Sequence, residues 1–529
     1  MMVARARRRN RPRPVRTAIF RRMTADTHLV LDGAALTVDQ VRAVAAGRRV
    51  RLGDAARAQV AEARAAVERV AAGDRAVYGV NTGFGSLAQV RVAAGDLATL
   101  QRNIVVSHAS GVGDPLPEPV VRGMMLLLAA SLSRGRSGVR TVVIERLLDL
   151  LNHGLVPVVP ERGSVGASGD LAPLAHACLP LIGEGEVFVR GTRQPAAQAL
   201  AAAGLQTVAL EAKEGLALLN GTHLMAARGA LAFAALEPLL EAAIGATALA
   251  IDACLASDAP LDARIHAARR QPGQIVVAER VLAMLQGSQI RASHATGDPR
   301  VQDPYALRCA PQVLGAAMDQ LRAQRCVIEH ELGAVTDNPL VVPSAAGGHE
   351  VVSGGNFHGM PLAIAMDAAK IALCHVAGVS ERRTYWVLGA FDRVNPVKPH
   401  LAATPGLESG LMVTQYAAAA CVNELQALAH PASVGNVPTC GGIEDYNSFG
   451  PLAAAQLERA VRLVREVVAI ELLVMAQALE AHRPKRSGGG VERLHAAVRR
   501  VAPVLTGDRS PAPDIATIAA AIADGSILR

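Results

Sequence analysis

The stretch that decides the fold is residues 211–256, EAKEGLALLNGTHLMAARGALAFAALEPLLEAAIGATALAIDACLA. Alanine and leucine dominate it, and both residues are strong helix formers. Its most apolar part, residues 231–256, is interrupted by Glu237, Glu241 and Asp252. Because a membrane span needs about 20 predominantly apolar residues, we predict a long helix buried in the core of a protein rather than in a membrane.

The composition of the whole chain supports an all-α fold. Apolar residues make up 51% of the 529 residues but aromatic residues only 2%, so alanine, valine and leucine must fill the core. Apolar residues at helical spacing predict further helices and few, short strands. Polar, glycine-rich loops separate these helices, and we expect the loops to converge. The predicted helical segments are residues 36–72, 122–151, 312–335, 361–382, 417–430 and 452–482.

The net charge of +8 has its origin at the N-terminus. Residues 1–22 contain nine arginines and no acidic residue, so the rest of the chain is nearly neutral. We therefore expect no nucleic-acid binding by the body of the chain. Residues 1–23 are predicted to be a disordered basic tail, or the result of a start assigned too early, with Met23 as the true start. They lack the apolar core of a secretory signal. We expect an active-site region at 24–215, a helix bundle at 216–484 and a helical extension at 485–529.

The cysteines and histidines indicate neither a disulfide framework nor a metal site. The seven cysteines are scattered and never form a CxxC pair, and no HExxH sequence occurs. This pattern is typical of a protein in the reducing cytoplasm. We predict a cytoplasmic protein without a bound metal.

Ala167, Ser168 and Gly169 can form an electrophile from their own atoms. If the Gly169 nitrogen attacks the Ala167 carbonyl, an imidazolone ring closes with loss of water. Loss of a second water from Ser168 then leaves a methylene group, a carbon electrophile. The tripeptide alone is weak support, because residues 109–111 repeat it. Gly166, Asp170 and a predicted helix N-terminus, for which Asp170 is a plausible N-cap, favour the first copy.

The segment GSVGASGDLAPLAH, residues 163–176, resembles the electrophile motif of the histidine and aromatic amino-acid ammonia-lyases. Further blocks match in order: YGVNTGFG at 78–85, SHASG at 107–111, KEGLALLNGT at 213–222, VQDPYALRC at 301–309, DNPL at 337–340 and SGGNFH at 353–358. The resemblance spans residues 36–484. It implies an all-α, long-helix bundle of the fumarase/aspartase-like type with a loop-rich N-terminal active-site region. It also implies a homotetramer with shared active sites, and 4-methylidene-imidazol-5-one (MIO) in place of an added cofactor.

The resemblance also implies roles for single residues. Tyr78 would be the base that removes the β-proton; because tyrosine ionises near pH 10, we expect helix termini or cations to lower its pKa. Arg308 would hold the substrate carboxylate with its fork of donors. Asn220 and Gln302 would orient the electrophile or the carboxylate. The aromatic side chains expected to line the pocket are those of Tyr305 and Phe357.

Three residues favour histidine as the substrate, which would give urocanate. His108 follows the histidine-lyase pattern, Glu444 stands where those enzymes carry a glutamate, and Met412 matches a methionine that packs on the imidazole. A histidine side chain can bond a polar ring but would be left unpaired against a phenyl group.

Departures from the histidine-lyase pattern keep alternatives open. Ile443 replaces a glutamine, Tyr446 replaces a histidine and His223 replaces a glutamine, while residues 385–386 and 395–400 also diverge. These changes are compatible with a related lyase or a 2,3-aminomutase that acts on tyrosine, phenylalanine or an analogue. A third alternative, a non-catalytic helical scaffold, is disfavoured because the implied catalytic residues all occur together.

Overall fold

The structure, a computed structural model, describes residues 28–529. The prediction of a disordered basic tail or a premature start at residues 1–23 lies outside this range. The protein is 59% helix and 8% strand, so the all-α prediction is confirmed.

The N-terminal part combines short helices with all but two of the strands in residues 28–529. Thr37 and Gln40 form a capping box that begins the first helix, so its start is defined by the local sequence. The helices are α1 (Val38–Ala45), α2 (Asp54–Ala71), α3 (Leu97–His108), α4 (Glu118–Leu132), α5 (Thr141–His153), α6 (Leu171–Cys178), α7 (Ala196–Ala202) and α8 (Glu214–Leu219).

The strands form four small sheets in the described residues. Strands β1 (Leu29–Leu31) and β2 (Val50–Leu52) pair in parallel, and β3 (Val112–Pro115) pairs antiparallel with β5 (Pro160–Arg162). An antiparallel three-stranded sheet contains β4 (Leu155–Pro157), β6 (Glu186–Val189) and β7 (Thr192–Pro195). Strand β8 (Leu340–Pro343) pairs antiparallel with β9 (His349–Val352).

Long helices form the core of the molecule. The bundle and the C-terminal extension comprise α9 (His223–Ala253), α10 (Ala263–Arg269), α11 (Pro272–Met284), α12 (Gln289–Ala292), α13 (Tyr305–Arg308), α14 (Ala310–Glu331), α15 (Met360–Leu388), α16 (Met412–Leu428), α17 (Gly450–Leu479), α18 (Gly489–Val501) and α19 (Ala512–Ala523). Helix α17 packs against both α9 and α15. Most residues of α9 are buried all around the helix, as expected for a core helix.

The prediction of one continuous helix through residues 211–256 is wrong at residues 220–222. Helix α8 ends at Leu219, and α9 begins at His223. Between them, the Gly221 nitrogen donates to the Ser168 carbonyl over 3.2 Å, and the Gly221 carbonyl accepts from the Asp170 nitrogen over 2.8 Å. Pairing with another loop therefore overrides the helical preference of this stretch.

Helices α9 and α15 are long and apolar enough to cross a membrane by length and composition alone. In each helix, 67% of the most apolar window is buried inside the protein. This degree of burial fits core helices of a bundle, in agreement with the prediction for residues 231–256.

Candidate active site

The backbone turns sharply at the predicted electrophile tripeptide. Gly166 and Gly169 have φ values of 81° and 80°, and Ser168 between them has a φ of 50°. A Cβ atom on Gly169 would overlap the carbonyl of Gly221, and one on Gly166 would overlap the Ser448 hydroxyl. Both positions therefore require glycine, for conformation and for space.

Hydrogen bonds hold this turn against the break between α8 and α9. Besides its two bonds to the 220–222 segment, the turn is fixed from within, because the Ser164 hydroxyl donates to the Gly169 carbonyl over 3.1 Å. On its other side, the Phe449 nitrogen at the start of α17 donates to the Val165 carbonyl over 2.9 Å. The turn is thus clamped between the first residues of two core helices.

Asp170 precedes α6, but within residues 28–529 its side chain makes no capping bond to that helix. Instead, Asp170 Oδ2 accepts hydrogen bonds from the Leu224 and Met225 nitrogens, at 2.8 and 3.2 Å, in the first turn of α9. The expected N-cap therefore caps a different helix. Burial raises the pKa of Asp170 to about 7, although these two hydrogen bonds act in the opposite direction. The Asp170 side chain joins the electrophile turn to α9.

Tyr78 is half-buried, and its hydroxyl accepts a hydrogen bond from the Gly85 nitrogen at 3.4 Å. Burial raises the pKa of Tyr78 above its usual value of 10, and the carboxylate of Glu444 raises it further. Among the described residues, only the hydrogen bond from the Gly85 nitrogen lowers the Tyr78 pKa. The expectation that cations or helix termini lower the Tyr78 pKa is therefore wrong for the residues that this structure describes.

His108 and Glu444 lie at the same end of the molecule as Tyr78. His108 ends α3, and its Nδ1 atom lies 3.2 Å from the Ser107 hydroxyl. Burial lowers the pKa of His108, whereas the charge of Glu444 raises it. Glu444 thus acts electrostatically on both Tyr78 and His108. Its Oε2 atom accepts from the Thr439 hydroxyl over 2.9 Å, which fixes the carboxylate.

Asn220 is 4% exposed, and buried polar groups fix its amide. Its Nδ2 atom donates to the Asn338 carbonyl over 2.8 Å and to Asp337 Oδ1 over 3.4 Å. Lys213 pairs with Asp337 Oδ2 at 2.6 Å, and both of these side chains are almost fully buried. Sequence reasoning missed Lys213 and Asp337 as site residues, although both lie in the matched blocks at 213–222 and 337–340.

Phe357 is half-buried in the 353–359 loop at this same end. The Gly354 nitrogen of that loop donates to Asn338 Oδ1 over 2.7 Å. His358, which follows Phe357 in the loop, bonds through Nε2 to the Tyr446 carbonyl at 2.9 Å. The loop therefore connects the Asn220 network with the loop that carries Glu444.

A second set of predicted site residues, the distal group, lies at the opposite end of the bundle. It consists of Gln302, Tyr305, Arg308 and Met412. The Ser257 nitrogen, just beyond α9, donates to Asp303 over 2.8 Å, so the 301–308 segment adjoins the C-terminal end of α9. The electrophile turn adjoins its N-terminal end. A helix of 31 residues is about 45 Å long.

Met412 belongs to this distal group because of where α16 begins. It is the first residue of α16, and Gln415 in the first turn bonds to Glu381 at 2.7 Å, close to the C-terminal end of α15. The expectation that all the polar loops converge is therefore wrong within one chain, because the long core helices hold two groups of loops apart.

The distal group presents an open surface. Tyr305 is 71% exposed, and the Arg308 guanidinium lies over its ring, 4.6 Å from the centroid. Gln302 and Tyr305 line a cavity of about 690 Å³ together with Trp386 and Phe391. An aromatic face and an arginine fork suit a substrate that has an aromatic ring and a carboxylate.

All seven cysteines are free, and among residues 28–529 no group of three or more His, Cys, Asp or Glu side chains could hold a metal ion.

Comparison with known proteins agrees with this picture of a carbon–nitrogen lyase built on a helix bundle. The family model for aromatic amino acid lyases matches residues 36–500. A histidine ammonia-lyase of Anaeromyxobacter sp. (strain K) is 48% identical over 508 residues, which cover 94% of this chain and 99% of that protein. The chain belongs to the aromatic amino acid lyase family, and the resemblance seen in the sequence is confirmed.

Solved structures share the fold over nearly the whole chain. The histidine ammonia-lyase of Trypanosoma cruzi superposes with a TM-score of 0.87 at 34% identity, covering 95% of this chain and 94% of that one. The tyrosine aminomutase of Streptomyces globisporus superposes with a TM-score of 0.88 at 35% identity, covering 95% and 98%. The fold is thus common to enzymes whose substrates differ.

Proposed function

We propose that this protein eliminates ammonia from L-histidine and releases urocanate. The observation that carries the proposal is the turn at residues 166–169, which only glycine permits at both ends, packed against the segment that bears Asn220. Tyr78, His108 and Glu444 lie at the same end of the bundle. The similarity to histidine ammonia-lyases over 94% of the chain supports the choice of substrate.

The tripeptide fits the methylidene-imidazolone group that the family resemblance implies. Ser168 and Gly169 are both held in the left-handed region, so the backbone is already bent where the ring would close. The Ser164 hydroxyl holds the Gly169 carbonyl. Once formed, the group would supply a carbon electrophile, which no coded side chain provides.

Tyr78 is the proposed base for the β-proton of the substrate. To accept a proton, its hydroxyl has to ionise first, and burial together with Glu444 opposes this. The hydrogen bond from the Gly85 nitrogen favours the ionised form. We therefore propose that the Tyr78 loop sets how strongly the enzyme depends on pH.

His108 and Glu444 are the proposed partners of the imidazole ring. A carboxylate accepts hydrogen bonds from ring nitrogens, and a neutral histidine can both donate and accept. A substrate with a phenyl ring would leave these half-buried polar groups unpaired, which costs binding free energy. Asn220 would orient the electrophile through the fixed amide described above, and Phe357 would line the pocket.

A complete site would need two subunits, and we propose a homotetramer with shared sites. Arg308 is the proposed partner of the substrate carboxylate, and Gln302, Tyr305 and Met412 would complete the pocket. Gln302, Tyr305 and Arg308 adjoin the far end of α9 and lie about 45 Å from the electrophile turn of their own chain, as estimated from the length of that helix. The exposure of Tyr305 at one end, 71%, and of Ile443 at the other, 68%, supports contact between copies. The free cysteines support a cytoplasmic location.

Two measurements test the proposal. Incubation with histidine, tyrosine and phenylalanine in parallel should give urocanate absorbance with histidine; cinnamate or coumarate alone would overturn the choice of substrate. The intact mass should be lower than the sequence mass by two water molecules. A full sequence mass would instead indicate a scaffold without the electrophile.

A second candidate is an aminomutase or a lyase acting on tyrosine, phenylalanine or an analogue. The similarity to the tyrosine aminomutase of S. globisporus favours it, as do Ile443 and Tyr446, which flank Glu444 and are 68% and 64% exposed. The same incubations separate the two candidates, because an aminomutase yields a β-amino acid from tyrosine instead of urocanate from histidine.

A further inference from the structure

Arg300 lies eight residues before Arg308 and ties together three parts of the distal end. Its side chain is only 18% exposed. It pairs with Asp298 at 2.6 Å on its own loop and with Asp392 at 2.7 Å on the loop after α15. Asp303 lies at 4.0 Å and adds a third carboxylate to the same guanidinium.

The same guanidinium also caps α9. Its Nη1 atom donates to the Cys254 carbonyl over 3.3 Å, and its Nη2 atom donates to the Leu255 carbonyl. The last carbonyls of a helix lack partners within the helix and carry the negative end of its dipole, so a cation is stabilising there. Arg300 therefore fixes the 298–303 loop to the backbone just past the C-terminal end of α9.

We propose that Arg300 is a positioning residue that holds Arg308 where a substrate carboxylate can reach it. The segment from Val301 to Arg308 follows Arg300 directly, and Leu307 packs it against the core. Within residues 28–529, few hydrogen bonds tie it to other segments: the Ser257 nitrogen donates to Asp303 over 2.8 Å, and Arg383 donates to the Ala306 carbonyl over 3.3 Å. Because Arg300 makes several of the bonds just before this segment, its loss would free the start of the segment that leads to Arg308. The inference rests on the proposed role of Arg308.

An arginine fork suits this position better than a lysine does. Arg300 bonds to Asp298 through Nε and Nη2, while Nη1 donates to Asp392 and to the Cys254 carbonyl next to the end of α9. A lysine presents one flexible point charge and cannot hold this planar set of partners together. Arg300→Lys should therefore keep only part of the function of Arg300.

The test is a double-mutant cycle on the assembled full-length protein. Arg300→Met, Arg308→Met and the double variant are compared in histidine kinetics and intact mass. Arg499→Met is the matched control, because Arg499 also binds a carboxylate, Glu480 at 3.0 Å, and a backbone carbonyl, Ala502 at 3.3 Å. The electrophile turn lies at the other end of the molecule, so every variant should still be lighter by two water molecules.

We expect Arg300→Met to raise KM by about tenfold with a smaller change in kcat, since misplacement of a binding group by about 1 Å is costly. Arg300→Lys should give an intermediate KM, and Arg499→Met should leave KM unchanged. The double variant should be no worse than Arg308→Met alone, because Arg300 would act only through that residue. The affinity for histamine, which has the imidazole of histidine but no carboxylate, should be the same in the Arg300 variants as in the wild type.

Several outcomes would overturn the inference. An unchanged KM in Arg300→Met, or effects of the two single substitutions that multiply, would show that Arg300 does not act through Arg308. If Arg308→Met itself leaves KM unchanged, the proposed carboxylate role of Arg308 fails and the inference fails with it. Should Arg300→Met not assemble, Asp392→Asn removes one ion-pair partner of Arg300 and is held to the same expectations.

Discussion

Residues 167–169 and 109–111 have the same sequence, Ala-Ser-Gly, but different backbones. In the first copy, Ser168 and Gly169 both have positive φ values. In the second, Ala109 is the C-cap residue just after α3, with φ and ψ of −77° and 63°, and neither Ser110 nor Gly111 is among the residues with positive φ. The tripeptide alone therefore does not produce the bend; the neighbouring Gly166 and the pairing with Gly221 do.

The hydrogen bonds around the second copy also differ from those around the first. The Gly111 nitrogen, which would have to attack in a cyclisation of the second copy, donates instead to His176 Nε2 at 3.0 Å. The Ser110 nitrogen donates to the His108 carbonyl over 2.8 Å. In our proposal the first copy becomes the electrophile, while the second ends a helix and holds His108 in place.

The largest effect should come from Ser168→Ala, which removes the oxygen that must leave as the second water. Turnover should fall by at least about a thousandfold, as when the central group of a catalytic unit is removed. Histidine turnover and intact mass check this, and the mass should no longer show the loss of two waters. Retained turnover would mean that Ser168 is not the source of the electrophile.

Gly169→Ala and Gly111→Ala compare the two turns directly. A Cβ on Gly169 would overlap the Gly221 carbonyl in a left-handed conformation, so we expect a loss of about 2–4 kcal/mol in unfolding free energy and no electrophile. At Gly111 a Cβ would meet three atoms at 3.2 Å, which is a tight contact without overlap, so the cost should be smaller, about 1 kcal/mol. Denaturant unfolding and intact mass give both results; equal costs would contradict the comparison.

His108→Leu tests whether His108, which precedes the second copy, bonds to the imidazole of the substrate. Loss of the imidazole should raise KM for histidine by about tenfold, the cost of one hydrogen bond to a polar substrate, and improve the use of phenylalanine. Steady-state kinetics with both amino acids measure this change. Unaltered histidine kinetics would mean that His108 only packs beside the site.

Glu444→Gln tests the electrostatic link between Tyr78 and His108. A base works only when ionised, so kcat/KM should rise with pH through the Tyr78 pKa, which burial and the Glu444 charge raise. Removing that charge should move the rising limb to lower pH, even though the maximum rate also falls. A pH profile of kcat/KM measures the limb; a limb that stays in place would argue against Tyr78 as the titrating base.

The smallest effect should come from Ser110→Ala. Ser110 is exposed, and its hydroxyl lies 3.5 Å from the His108 carbonyl, at the limit of a hydrogen bond. We expect turnover within about twofold of the wild type and a stability change within about 0.5 kcal/mol. Thermal unfolding and the urocanate assay are sufficient. A loss of turnover as large as that of Ser168→Ala would mean that the two copies do not differ in function.

Helical content and the long core helices could be predicted from the sequence, because alanine-rich stretches with helical spacing determine them locally. The break at residues 220–222 could not, because it depends on pairing between Gly221 and a loop more than 50 residues away. The same limit applies to Asp170, whose place before α6 was predicted but whose hydrogen bonds go to α9.

The site residues could be named from the matched blocks, but their arrangement could not. Nothing in the local sequence around Arg308 shows that it lies at the far end of α9 from Ser168. The direction of the Tyr78 pKa shift was also predicted wrongly, because burial and the charge of Glu444 depend on tertiary contacts. Arg300 was missed because its partners lie on three separate segments.

The length of α9 has a genetic consequence if sites are shared between copies as proposed. Two genes, one encoding Ser168→Ala and the other Arg308→Met, would each give an inactive product. Mixed assemblies of the two would contain some sites built from both undamaged halves. A cell that carries both alleles would then regain the phenotype that each allele alone abolishes.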